Sequence, residues 1–158
     1  MTDTQIEECD SENPWLFKGK PFLSEDIGEH YGFVYCITNV LSGRRYIGRK
    51  YFWSLRKPIG KSRRVNSESD WKRYYGSSDE LNVERKEVGN YAFKREILSI
   101  HETKGLCNYE ETRQLFINNV LSEELHGAPA FYNSNILGRY MRKDYYGKLS
   151  RTSSEFSS

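Results

Sequence analysis

The sequence predicts an α/β chain of the α+β kind, a small, mainly antiparallel three-stranded sheet flanked by helices. Three observations carry this. The run Gly32-Phe33-Val34-Tyr35-Cys36-Ile37 is rich in β-formers, turn chemistry follows from Asn39 to Gly43, and Arg45-Tyr46-Ile47-Gly48 resumes as a strand, which together make a hairpin. Arg95 to Ile100 has the composition of a third strand. Ser77 with Glu80, and Asn108 with Glu111, have the spacing of an N-cap and the third helical position, and so mark two helix starts.

In chain order, residues 1–28 read as an acidic N-terminal extension in which Asn13-Pro14-Trp15 and Lys20-Pro21-Phe22 form turns rather than core. Residues 29–147 form the domain, which fits the 158 residues of the chain. After the hairpin, Lys57-Pro58-Ile59-Gly60 breaks both periods, within a basic insert spanning 56–73. Ser69 to Tyr75 is expected as a short helix stopped by Gly76, and the helix opened by Ser77 is closed by Gly89-Asn90. The helix from Asn108 should run to about Leu121, Pro129 to Asn135 should be a loop, and Ile136 to Tyr146 a last helix before a frayed tail at 148–158.

Composition narrows the function. Cys9, Cys36 and Cys107 are odd in number and lack CxxC spacing, which supports neither a disulfide framework nor a zinc site. With no apolar run of membrane-spanning length and no signal-peptide layout at the start, the expected setting is intracellular, in the cytoplasm. Charge is strongly polarised: residues 1–30 hold eight acids against Lys18 and Lys20, whereas residues 44–73 hold eleven cations against Glu68 and Asp70. Aromatic residues interleave with those cations. Arg49, Lys50, Lys61, Arg63, Arg64, Trp71, Lys72 and Arg73 are therefore expected to neutralise phosphates and pack against sugars or bases.

The hairpin sequence Phe33-Val34-Tyr35, ten residues, then Tyr46-Ile47-Gly48 resembles the defining motif of the GIY-YIG nuclease family. Its second half matches letter for letter; the first has Phe33 and Val34 where the family has glycine and isoleucine. Ser77-Ser78, Gly89-Asn90, Glu96-Ile97-Leu98, Glu111 and Tyr132-Asn133 are similar to the later segments, so the likeness covers roughly residues 31–135. The run Asp70-Trp71-Lys72-Arg73-Tyr74-Tyr75-Gly76-Ser77-Ser78 resembles the small phage-type members. The resemblance implies hydrolysis of double-stranded DNA with magnesium or manganese, the metal held by Glu111. It implies catalytic roles for Tyr35, Tyr46, Arg56, Glu111 and Asn133.

Elementary chemistry supports the same residues. Glu111 lies one helical turn before Leu115, which puts a carboxylate on the stripe that carries apolar side chains; magnesium prefers such oxygen ligands and needs few of them. Tyr35 and Tyr46 sit at positions whose pairing about the turn would place them directly opposite on one face. Arg56 lies ten residues after Tyr46, where the resemblance puts the arginine that offsets phosphorane charge, and Arg73 or Lys72 are alternatives. Asn133 would order the site through side-chain hydrogen bonds. A non-catalytic DNA-binding module that keeps the fold is the rival reading, and the acidic arm could shield the basic cleft.

Overall fold

The computed structural model describes residues 13–56 and 65–148. In chain order, β1 (Leu16–Phe17) and β2 (Lys20–Pro21) form a tight hairpin over Lys18 and Gly19, both at positive φ. The strands β3 (Gly32–Asn39) and β4 (Arg45–Tyr51) make the predicted hairpin, and β5 (Trp53–Arg56) pairs with β6 (Val65–Glu68) as a separate two-stranded sheet. Then come α1 (Asp79–Val88), β7 (Phe93–His101) and α2 (Lys104–Ile117). Two small hairpins, β8 (Glu124–Leu125) with β9 (Ala128–Pro129) and β10 (Asn135–Ile136) with β11 (Tyr140–Met141), precede the one-turn α3 (Arg142–Tyr145).

The main sheet has five strands in the order β2-β1-β7-β3-β4. The three expected strands pair antiparallel with one another; β1, itself antiparallel to β2, adds parallel to β7 and makes the sheet mixed. This corrects the strand count. The added strands come from the arm that was expected to lie outside the core. Trp15, Phe22 and Ile27 are instead buried in it, with Trp15 packed at 5.0 Å against both Phe33 and Tyr35.

The central strand β3 is covered on both faces. Phe33, Tyr35 and Ile37 face an aromatic core with Trp15, Phe52, Trp71 and Phe93. Val34 and Cys36 face a second core with Ile47, Cys107, Leu115 and Phe131. A strand buried on both faces needs apolar residues at every position rather than alternation, which is the pattern of its sequence. On the other hand, β4 is an edge strand, and the functional geometry follows from that.

Several boundaries differ from expectation for local reasons. The cap of α1 is Ser78, whose hydroxyl accepts from Leu81 N at 3.2 Å, one residue later than Ser77. Thr103, accepting from Leu106 N at 3.1 Å, caps α2 five residues before Asn108, so Glu111 lies mid-helix rather than in the first turn. Ser69 to Tyr75 holds only one 3-10 turn, Trp71–Arg73. Ile136 to Tyr146 is not one helix, because Leu137 and Gly138 take positive φ and turn the chain back as the β10–β11 hairpin. Among the described residues no helix is long and apolar enough to cross a membrane.

Candidate active site

The β3–β4 register sets Tyr35 opposite Gly48 and Tyr46 opposite Ile37. The two tyrosines are thus diagonal, not directly opposite as expected. A shift of two residues preserves the face, where a shift of one would have reversed it. Their rings lie 6.2 Å apart, tilted by 36°. Two glycines make room for them. A Cβ on Gly48 would stand 2.5 Å from the Tyr35 hydroxyl, and one on Gly76, held at φ +83°, would stand 3.0 Å from the Tyr46 ring. The glycine of Tyr46-Ile47-Gly48 is therefore demanded by the phenol that lies across the neighbouring strand.

Burial separates the two phenols. Tyr35 is 1% exposed, and desolvation, reinforced by Tyr46 and Tyr74, holds its pKa well above the ordinary tyrosine range. The Tyr46 hydroxyl sits 2.8 Å from Ser77 Oγ at the surface; burial raises its pKa too, and the Ser77 hydrogen bond opposes the rise. Both are neutral O–H groups at physiological pH.

Glu111 reaches the same place from the opposite side of the sheet. It projects from α2 on the stripe Cys107, Glu111, Leu115, whose flanking members are buried against Val34 and Ile47. Because β4 is the edge, the two sides meet around it in a cavity of about 460 Å³, whose lining includes Tyr46, Arg49, Ser77, Glu111, Asn133 and Arg142. The Glu111 side chain is 19% exposed, and Arg49 Nε stands 3.4 Å from its Oε1. Burial raises the Glu111 pKa, and Arg49 offsets that only in part. The neighbouring Cys107 thiol is pushed up to about 11 by burial, so it is not a nucleophile at neutral pH.

Asn133 closes the edge. Its Oδ1 accepts from Ile47 N at 3.1 Å and its Nδ2 donates to Ile47 O at 2.8 Å. The unpaired edge of β4 between Tyr46 and Gly48 is thereby satisfied by a side chain instead of a sixth strand. Backbone bonds from Arg45 N to Ala130 O and from Tyr132 N to Arg45 O lay the segment alongside. Tyr132 anchors it inward: its hydroxyl donates to Glu84 Oε2 at 2.5 Å and accepts from Asn39.

The other expected site residues divide. Arg49 lines the cavity. Lys50 lies on the phenol-bearing face, 2.6 Å from Asp70 Oδ1 and 4.2 Å from the Tyr74 ring centre. Trp71, expected to contact substrate, is 1% exposed and is a core residue, its indole N–H donating to Glu68 Oε1. Lys72 and Arg73 line a different hollow with Pro21 and Leu23, so the structure does not bring these alternatives for the catalytic cation into the edge cavity. Lys61, Arg63 and Arg64 lie outside the described residues, as does the Arg56 side chain; the Arg56 backbone ends β5.

Ser77, Gly76, Arg142 and Arg95 are contributors that sequence reasoning did not assign. Arg95 is fully buried, lies 4.1 Å from the Tyr75 ring centre, and donates to the carbonyls of Lys72 and Tyr74 at 2.9 Å, which fixes the segment leading to Gly76 and Ser77. Its signal was present in β7, where Arg95 occupies an inward position between Phe93 and Ile97.

Among the described residues no group of three or more His, Cys, Asp or Glu gathers as a metal cage. The donor set fits a hard divalent cation that uses one carboxylate and completes its shell with water and substrate phosphate: a largely buried Glu111, paired with Arg49 at 3.4 Å, beside a polar cavity. No curated protein and no solved structure matches the chain. A family model described as "Putative endonuclease segE, GIY-YIG domain" matches residues 15–136, starting at the buried Trp15 and ending at the buried Ile136. The chain belongs to this SegE-type GIY-YIG endonuclease family.

Proposed function

We propose that this endonuclease hydrolyses phosphodiester bonds of double-stranded DNA, with magnesium, or manganese in its place, held by Glu111. The observation that carries the proposal is the meeting of Tyr46 and Glu111, from opposite faces of the sheet, in one cavity at its β4 edge. Water attacks phosphorus as the P–O bond to the leaving oxygen breaks. The Tyr46 hydroxyl, steadied by Ser77, orients that water by accepting a hydrogen bond from it; the water's proton passes to a second solvent water in the cavity, and the leaving oxygen takes a proton from solvent as it departs. Tyr35 stays buried behind it and fixes its position. Arg49 and Arg142 offset the charge growing on the equatorial oxygens, and Arg56, at the end of β5, is the further guanidinium that the resemblance implies. When bound, magnesium supplies Lewis-acid stabilisation of the phosphoryl oxygens. Asn133 keeps the β4 edge in register with the substrate and takes no part in bond making.

The supporting experiment uses supercoiled plasmid. The protein is expected to convert it to nicked or linear forms with magnesium and to stop when the metal is chelated. Plasmid binding without cleavage under both conditions would instead identify a DNA-binding module that has lost the chemistry.

A further inference from the structure

The turn joining β10 and β11 carries an exposed leucine where turn chemistry disfavours one. Arg139 N donates to Ile136 O at 3.0 Å across Leu137 and Gly138, whose φ values are 57° and 67°. Turns with two central residues at positive φ take Asn-Gly, Asp-Gly or Gly-Gly, because a Cβ is strained there. Leucine brings that strain, and its side chain, 63% exposed, stays in solvent. Exposed leucines are common on protein surfaces, and Lys18-Gly19 and His126-Gly127 make the same positive-φ turn; what sets Leu137 apart is a large apolar side chain held at the rim of the cavity that Tyr46 and Glu111 line.

Local contacts hold the turn beneath Leu137. Ile136 is buried, Asn135 Oδ1 accepts from Gly138 N at 3.0 Å, and Tyr140 packs on Phe116 with ring centres 5.6 Å apart. Leu137 lines the same cavity as Tyr46, Glu111 and Asn133. Arg139 and Lys143 are exposed nearby in sequence, and Arg142 lines the cavity itself, so the segment that carries Leu137 also carries cations for phosphate contact.

We propose that Leu137 is a wedge that enters the base stack of bound duplex DNA beside the cleaved phosphate, unstacking one step and kinking the helix. The proposal rests on the DNA-cleaving reading above. Apolar side chains inserted between base steps act in this way, and the resulting kink exposes the backbone at that step. The cost of unstacking depends on the step, so the wedge also gives the enzyme a preference for flexible pyrimidine–purine steps without any hydrogen bond to a base edge.

A plasmid-unwinding measurement tests this without a known target sequence. Glu111→Gln protein is bound to nicked plasmid with magnesium, the nick is sealed by ligase, and the linking number is read after the protein is removed. The wedge predicts a lowered linking number that grows with bound protein. In the same background, Leu137→Asn and Leu137→Gly, which accept the backbone conformation and so keep or raise the melting temperature, should bind within about threefold and lose most of the shift. Equal shifts for all three proteins, or binding by the Glu111→Gln protein with no shift, would overturn the wedge while leaving the cleavage proposal standing. If the Glu111→Gln protein does not bind plasmid at all, the DNA-directed site itself fails, and the wedge with it.

Discussion

Replacing Glu111 by glutamine is expected to slow magnesium-dependent plasmid cleavage by about 10³-fold, the scale on which preorganised transition-state electrostatics are lost. Binding should change little, since backbone contacts are made by the surrounding cations. The variant should also be no less stable than the parent. Burial raises the Glu111 pKa, so the folded state holds that proton more tightly than the unfolded state does. For an acid shifted upwards, stability falls as pH rises from the ordinary glutamate value through the folded one. Glutamine removes this dependence. Metal-free melting curves should therefore show the parent losing stability relative to Glu111→Gln through the mildly acidic range, and magnesium at neutral pH should stabilise the parent alone. A variant that cleaves within tenfold of the parent, or that unfolds at room temperature, would contradict this.

The second large effect is expected at Tyr46. Tyr46→Phe removes the hydroxyl that lies in the cavity beside Ser77 and should lower cleavage by about 10²- to 10³-fold. Stability should drop only by about 0.5–1.5 kcal/mol, the range for one hydrogen bond. Tyr35→Phe should cost less activity, because that hydroxyl is buried behind Gly48 and does not meet the cavity. Rates for the two variants measured under single-turnover conditions decide the order. Tyr35→Phe being the more severe would show that the phenol assignments are reversed.

The hairpin was legible because its residue types and turn chemistry are local properties. Its register was not, because the turn from Val40 to Arg44 closes through Asn39 bonds, Gly43 N to Asn39 O and Leu41 N to Asn39 Oδ1, which composition does not reveal. The error was two residues, and since side chains alternate, Tyr35 and Tyr46 kept a common face. The stripe Cys107, Glu111, Leu115 was also legible from helical spacing, even though the helix began five residues early: its phase does not depend on where its cap lies. The leading arm was misjudged because its acids dominate any charge count, while Trp15, Phe22 and Ile27, few and widely spaced, do the packing. That Glu111 reaches Tyr46 around the edge of β4 is a tertiary property, created when Asn133 from far along the chain closes that edge.

The most direct measurement is the position of a phosphate: a crystal structure of the protein with a DNA duplex and calcium, which fills oxygen-rich sites without supporting rapid cleavage. The expected result is a backbone phosphate in the edge cavity between the Tyr46 hydroxyl and Glu111, with the cation on the Glu111 carboxylate. Finding the duplex seated instead on the hollow walled by Lys72 and Arg73, with the edge cavity holding neither phosphate nor cation, would contradict it.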